Sequence, residues 1–383
     1  MRFKQFQDNW SVKRLSDIAE VVGGGTPDTT DSTLWNGDIQ WFTPTEVGHS
    51  KYVSMSVRTI SQLGLQKSSA KILPAGSILL SSRATVGECS IAQKDCTTNQ
   101  GFQSLIPKKS VNNEFLYYLA QTQKRHFIKY ASGSTFLEIS NSEIKKTKCA
   151  VPSIKEQTEI ATFLSAIDRK IEFQNKIISK YETLIKGISC DYFSKQPNHI
   201  AKLKDLIIKG KAGGTPSSTI AEYYNGNIPF LSISDMTRQG KYVEFTEKHI
   251  SENGLANSSA WIVPSNSLIL SMYASVGLVC INKVPLATSQ AMFSMVLKDC
   301  NMLDYIYYYL NFFRETQIHR LLETGTQSNI NADTVRDIEI PFYSNILVFV
   351  KTLRAIENRL NNEKDMLSRL MDLKTYLLSS LFI

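Results

Sequence analysis

From Glu156 onward, apolar side chains fall alternately four and three positions apart. Ile160, Leu164, Ile167, Ile171, Gln174, Ile178, Tyr181, Ile185, Ile188 and Tyr192 form one stripe, with Gln174 its only wholly polar member. A period of 3.5 residues keeps a stripe on one face only where a helix supercoils against a partner, so the pattern predicts a coiled-coil seam. The stripe returns 189 positions later as Phe349, Leu353, Ile356, Leu360, Glu363, Leu367, Leu370, Lys374, Leu377 and Leu381, and the polar break returns as Glu363. Ser153-Ile154-Lys155-Glu156 fits a capping box, with Ser153 at N-cap and Glu156 reaching back. Phe342 stands where Ser153 would recur, so Ser344 or Asn345 takes the second cap. About 38 residues rising 1.5 Å each make a rod of about 57 Å.

Ahead of each long helix the pattern changes to short β-like runs, such as Ile39–Phe42, Ser77–Ser81 and Phe102–Ile106. Asn36-Gly37 and Asn225-Gly226 read as tight turns between strands. Helical stretches follow near Glu114–Tyr130 and Leu303–Leu322, then a polar Gly/Ser/Thr loop, a proline and the long helix. The two blocks match in order. Thr26-Pro27 recurs as Thr215-Pro216, Trp35-Asn36-Gly37 as Tyr224-Asn225-Gly226, Ser77–Ser81 as Ser267–Ser271, Val86-Gly87 as Val276-Gly277 and Gln100 as Gln290. This period is far longer than that of a solenoid, so the chain is a domain duplication.

The expected fold is α+β. Two tandem, related globules are joined by two long helices that form an intramolecular antiparallel coiled coil, a dumbbell with a pseudo-two-fold axis. The expected domains are residues 1–152, the central helix 153–194, residues 195–342 and the distal helix 343–383.

Composition adds three limits. The 383 residues carry a net charge of +8, which favours an anionic partner modestly. Nearly all of the excess lies in residues 1–155, while residues 195–345 are balanced. The six cysteines form no CxxC pair, which reads as reduced, mostly buried thiols in a cytoplasmic protein with no metal site. No apolar run approaches the ~18 residues of a membrane span, and the first residues lack the apolar stretch of a secretory signal.

No catalytic constellation stands out. There is no GxxxxGK[ST] loop, and the five histidines are scattered. Glu143-Ile144-Lys145, with Pro27-Asp28 as a distant head, is a poor match to a nuclease motif because copy two has no equivalent. The Gly-Gly-Thr-Pro turns, which contain Thr26 and Thr215, could cradle phosphate through backbone N–H groups; their plainer reading is a turn needing positive φ. Trp35 and Trp41, with Tyr224 and Phe230, read as core before base-stacking surface. Basic clusters recur on the same helix of both copies: Lys124, Arg125 and Lys129, then Arg314, His319 and Arg320. They suit phosphate contact or a solvated face. The loops holding Ser134 and Thr135, and Thr326 and Gln327, could touch phosphates or base edges, or simply lead to the rod. Arg83 and Tyr273 are divergent residues on a shared frame, as two globules reading different sequences would need and as drift at an unimportant loop would equally leave.

These features resemble the specificity subunits of type I restriction–modification enzymes. The resemblance rests on the two related globules, the Trp-Asn-Gly-x-Ile-x-Trp and Ile-Leu-Pro-x-Gly-Ser-Ile-Leu-Leu-Ser stretches and Thr98-Asn99-Gln100. Its strongest element is Val151-Pro152-Ser153-Ile154-Lys155-Glu156-Gln157 leading to Ile167-Asp168. Copy two departs from it at Ser344-Asn345-Ile346. The resemblance implies two target-recognition domains on double-stranded DNA, each reading half of an asymmetric site. It also implies a rod that docks two methyltransferase subunits, which would bind S-adenosylmethionine, and restriction subunits using ATP and Mg. This chain would bind no cofactor and perform no catalysis. The competing class is a two-headed coiled-coil adaptor that assembles partners without DNA.

Overall fold

The computed structural model describes residues 2–133, 137–320 and 329–382, with only the backbone of Arg320. The chain divides into two compact units, Met1–Lys176 with Lys364–Ile383, and Ile177–Glu363. Each unit therefore owns one globule and half of each long helix.

Among the described residues of the first unit, ten strands form three sheets. They are β1 (Ser11–Arg14), β2 (Ala19–Gly23), β3 (Trp35–Phe42), β4 (Tyr52–Val53), β5 (Arg58–Ile60), β6 (Ile78–Leu80), β7 (Cys89–Ala92), β8 (Cys96–Thr98), β9 (Gln103–Pro107) and β10 (Lys148–Val151). The main sheet runs β2-β9-β6-β7-β4, a second runs β5-β3-β8, and β1 pairs with β10. Alternation along β6 explains the layering. Ile78 and Leu80 face α1 (Asn113–Thr122) through Phe115, Leu116 and Leu119, while Leu79 joins Val22, Phe42 and Phe102 on the other face. A short helix, α2 (Lys124–Tyr130), follows, and then α3 (Ile154–Phe193).

The second unit repeats this topology. Its main sheet runs β12 (Ile207–Ala212), β19 (Met292–Leu297), β16 (Leu268–Ser271), β17 (Val279–Asn282) and β14 (Tyr242–Val243). The second sheet runs β15 (Lys248–Ile250), β13 (Tyr224–Leu231) and β18 (Ala287–Thr288), and β11 (His199–Lys202) pairs with β20 (Glu339–Phe342). Helix α4 (Leu303–Thr316) takes the place of α1, and α5 (Ile346–Leu381) ends the chain.

The long helices pair antiparallel within the chain. In the first unit, Ile160, Leu164 and Ile167 from the start of α3 share a core with Leu377 and Leu381 from the end of α5. In the second unit, Ile185, Ile188 and Tyr192 from the end of α3 meet Phe349, Leu353 and Ile356 from the start of α5. Tyr192 stacks on Phe349 with ring centroids 3.9 Å apart. Gln174 is buried in the seam, and Glu363 is half-buried.

Four local readings of the sequence are corrected. The Asn-Gly pairs do not join strands. Asn36, at φ 59°, and Gly37 form a bulge inside β3, where the register shifts between Trp35 and Ile39. Asn225, at φ 58°, does the same in β13. The glycines of the Gly-Gly-Thr-Pro turns are not at positive φ. They are glycine because other backbone lies against them: a Cβ on Gly24 would sit 2.0 Å from the Asn99 carbonyl oxygen, and one on Gly213 2.0 Å from that of Thr288. Nor are all of their N–H groups free for phosphate, since Gly25 donates to Thr98 O at 2.8 Å and Gly214 to Thr288 O at 2.9 Å. Finally, Glu156 does not reach back to complete a capping box. Its buried carboxylate takes a bidentate pair of hydrogen bonds from Arg2, at 2.7 and 2.8 Å.

Gly25 offers a test of the close approach. A Cβ there would lie 2.3 Å from Ala70 N, which is backbone and cannot swing away. Gly25→Ala is expected to destabilise the first unit by about 1–3 kcal/mol, the usual cost of overpacking. A urea midpoint equal to wild type would show that the two segments separate freely.

Candidate nucleic-acid interface

One end of the main sheet gathers segments that are far apart in the chain. Strand β6 runs out into Ser81, Ser82 and a turn at Arg83-Ala84-Thr85 before β7 returns. Ala84 is left-handed at φ 63°, and Thr85 donates to Arg83 O at 2.8 Å, an i→i+2 bond across a residue with a Cβ. The loop between β8 and β9 lies alongside, with Ser82 N donating to Gly101 O at 2.8 Å. Beside Gly101, Gln100 accepts a hydrogen bond from the Thr26 hydroxyl. The segment after α2 closes the other side. Ala84 N donates to Leu137 O at 3.1 Å and Ile139 N to Ser82 O at 2.9 Å. Lys124, on α2, lies over Gly87, where a Cβ would meet its Cγ at 2.7 Å.

Thr26, Arg83 and Lys124 are thus brought to one sheet end. Arg83 is exposed and stands 3.8 Å from Glu138, whereas Lys124 is tied to Glu88. Arg125 and Lys129 are exposed on α2. Ser134 and Thr135 lie outside the described residues. Trp35 and Trp41 are buried edge-to-face, and their indole N–H groups donate to Asp28 O and Gly25 O, so they are core. The nuclease-like residues do not converge: Asp28 caps its own turn at Thr30, and Glu143 pairs with Lys146.

The second unit builds the same end. Tyr273 precedes Ala274 at φ 56°, and Val276 N donates to Ala274 O. Met272 N donates to Ala291 O, Ile330 N to Met272 O, and Thr215 to Gln290. Arg314 packs over Gly277 as Lys124 does over Gly87. His319 is exposed. Thr326, Gln327 and the Arg320 side chain lie outside the described residues.

The strain is informative. A left-handed residue with a Cβ in such a turn costs about 1–3 kcal/mol, and an exposed ion pair such as Arg83–Glu138 returns only ~0–1 kcal/mol. The left-handed alanine recurs at both tips, with the i→i+2 bond closing around Ala84 in one and one residue later, around Ser275, in the other, while the preceding side chain changes from Arg83 to Tyr273. The left-handed position is kept and the side chain before it varies, as in a surface that presents different readers on one frame.

Sequence reading missed a second constellation, a buried charge network that seats each globule on its helices. In the first unit Lys51 Nζ lies 2.6 Å from Ser165 Oγ, 3.1 Å from Tyr118 OH and 3.1 Å from Glu114. Tyr118 donates to Asp168, which Lys374 pairs at 2.7 Å. In the second unit Lys241 Nζ lies 2.6 Å from Glu357, 2.8 Å from Tyr308 OH and 3.0 Å from Asp304, which Arg354 also pairs. Burial pulls Lys51 below the ordinary lysine value, against the opposing pull of Glu114. Burial pushes the Asp304 carboxyl up, but Lys241 and Arg354 together overcome it and hold it below the usual aspartate range. The signal was in the repeat: Lys51-Tyr52 recurs as Lys241-Tyr242, and Tyr118 as Tyr308.

Residues 7–183 and 197–363 each match the family model described as type I restriction modification DNA specificity domain. The chain belongs to this family. Of the curated relatives, a type I restriction enzyme MjaIX specificity subunit from Methanocaldococcus jannaschii is 34% identical over 254 residues, covering 60% of this chain and 59% of that one. A HindI specificity subunit from Haemophilus influenzae is 28% identical over 202 residues, covering 52% and 40%. The alignments thus span about half the length of the relatives. Among solved structures, a type I restriction-modification S subunit from M. genitalium aligns over 100% of this chain and 99% of its own, with TM-score 0.59 and 16% identity. A chain from a structure on complex assembly and conformational transition of the type I R-M system aligns over 98% of each, with TM-score 0.62 and 14% identity. At these identities the structures speak for the fold. Each family match spans one globule together with part of a long helix, and the described sheet ends lie within the matched residues. Among the described residues no helix is long and apolar enough to cross a membrane.

Proposed function

We propose that each specificity domain reads one half of a bipartite double-stranded DNA site through its turn-bearing sheet end. The two long helices set the separation of the halves and dock two methyltransferase subunits. Those subunits supply S-adenosylmethionine chemistry, and restriction subunits using ATP and Mg join them. This chain selects the site and leaves the reaction to its partners. The observation that carries the reading is the twofold convergence of the strained turn, the Thr-Gln loop and the basic helix, with the presented side chain differing between copies. The residues responsible are Thr26, Arg83, Lys124, Arg125 and Lys129 in one domain and Thr215, Tyr273, Arg314 and His319 in the other, with Lys124, Arg125, Lys129, Arg314 and His319 on phosphate and Thr26, Arg83, Thr215 and Tyr273 toward the bases.

The test is a gel-shift of this chain with its methyltransferase subunits, on a site defined by long-read methylation sequencing. A complex that assembles but binds the site no better than random duplex would leave the adaptor class standing. Lys124→Ala, Arg125→Ala and Arg314→Ala should each weaken all duplexes about equally and reduce the salt slope of binding by about 1. Unaltered slopes would return these residues to a solvated face.

A further inference from the structure

We propose that Arg83 and Glu138 act together as the reader of a single G·C base pair in the half-site bound by the first specificity domain. The inference rests on the DNA-reading function proposed above and assigns the base chemistry of that site. Arg83 and Glu138 face each other as an isolated antiparallel bridge. The flanking bonds, Ala84 N to Leu137 O and Ile139 N to Ser82 O, make them a non-hydrogen-bonded pair, the arrangement in which side chains lie closest and project from the same face. Both side chains are about half exposed, at 48% and 49%, and the guanidinium stands 3.8 Å from the carboxylate.

This is donor beside acceptor at the tip of a held turn. In the major groove guanine offers two acceptors, N7 and O6, and its paired cytosine offers the N4 donor. Arg83 matches the first as a bidentate donor, and Glu138 matches the second as an acceptor. A carboxylate so close to the contact also repels phosphate, so the pair favours a base edge over the backbone. The left-handed Ala84 and the bonds to Leu137 and Ser82 fix the direction of Arg83, as base reading requires and a phosphate contact does not. Tyr273 takes the place of Arg83 in the second unit, so the other half-site carries no such requirement at this tip.

The experiment uses the chain with its methyltransferase subunits. The methylated motif is read for wild type, Arg83→Ala and Glu138→Gln, and gel-shifts use the wild-type site and a site with the candidate G·C pair replaced. Arg83→Ala is expected to relax one G·C position of the motif to any base and leave the others unchanged. Its affinity for the wild-type site should fall about ten- to hundredfold, with little change on the replaced site. Glu138→Gln should relax the same position less. Three results overturn the assignment: an unchanged motif in Arg83→Ala, equal weakening on both sites, or relaxation by the two variants at different positions. Wild-type complex that shows no preference for its motif would instead overturn the DNA-reading function. Thermal melts show that each variant is folded, and Glu138→Gln carries the test alone if Arg83→Ala is not.

Discussion

Lys241→Met is expected to lower the stability of the second unit by about 3–5 kcal/mol, the usual cost of removing one partner from a buried ionic network. The ammonium is nearly enclosed and is shared by Asp304, Glu357 and Tyr308 OH. Methionine fills the same volume, so packing survives while two carboxylates are left facing each other with Arg354 serving only Asp304. The pH dependence follows from Asp304, whose carboxyl is held below its ordinary range. A depressed carboxyl contributes stability that is complete above the unfolded value of about 3.9 and is lost as pH falls through the folded value. The gap between wild type and variant should therefore be widest near neutral pH and narrow below about pH 4. Hydrogen exchange of Leu303–Thr316 in urea measures it. Equal protection in both proteins at pH 7 would show that the network does not hold α4 to α5.

Exchanging residues 1–152 for the corresponding domain of another family member is expected to replace one half of the methylated site completely and leave the other half intact. The physical basis is separation of cores. The buried residues around Phe115 and those around Tyr305 form distinct clusters with no member in common. The exchange leaves α3 and α5 in place, so Ile160, Leu164, Asp168, Lys374 and Leu377 still present the old seat. The incoming domain must bring its own equivalents of Lys51, Glu114 and Tyr118, or it will not lock at the same angle. Methylation sequencing reads the outcome. A change in both halves would mean that the domains do not read independently.

The long helices were legible because their signal is local: Ile160, Leu164 and Ile167 declare a seam through their spacing alone. The duplication was legible for a related reason, since collinear matches need no geometry. The glycines were visible but misread. Gly24 and Gly25 looked like turn residues, and their actual cause is backbone from Thr98–Asn99 and Ser69–Ala70 pressed against them. Glu156 looked like half of a capping box and instead binds Arg2, 154 positions away. The candidate interface was visible only in parts, because nothing in the spacing of Thr26, Arg83 and Lys124 says that one sheet end collects them.

The sequence alone determined the two-copy organisation, the seam and the family resemblance, because periodicity and repetition are properties of neighbouring positions. Tertiary structure alone decided which residues share a surface: the pairing of Arg83 with Glu138, the strain at Ala84 and Ala274, and the lysines that seat each globule. Those depend on sheet order, with β6 between β9 and β7, and on α1 packing against α3. Contacts between distant segments are set by how the elements pack, and local spacing carries no record of that.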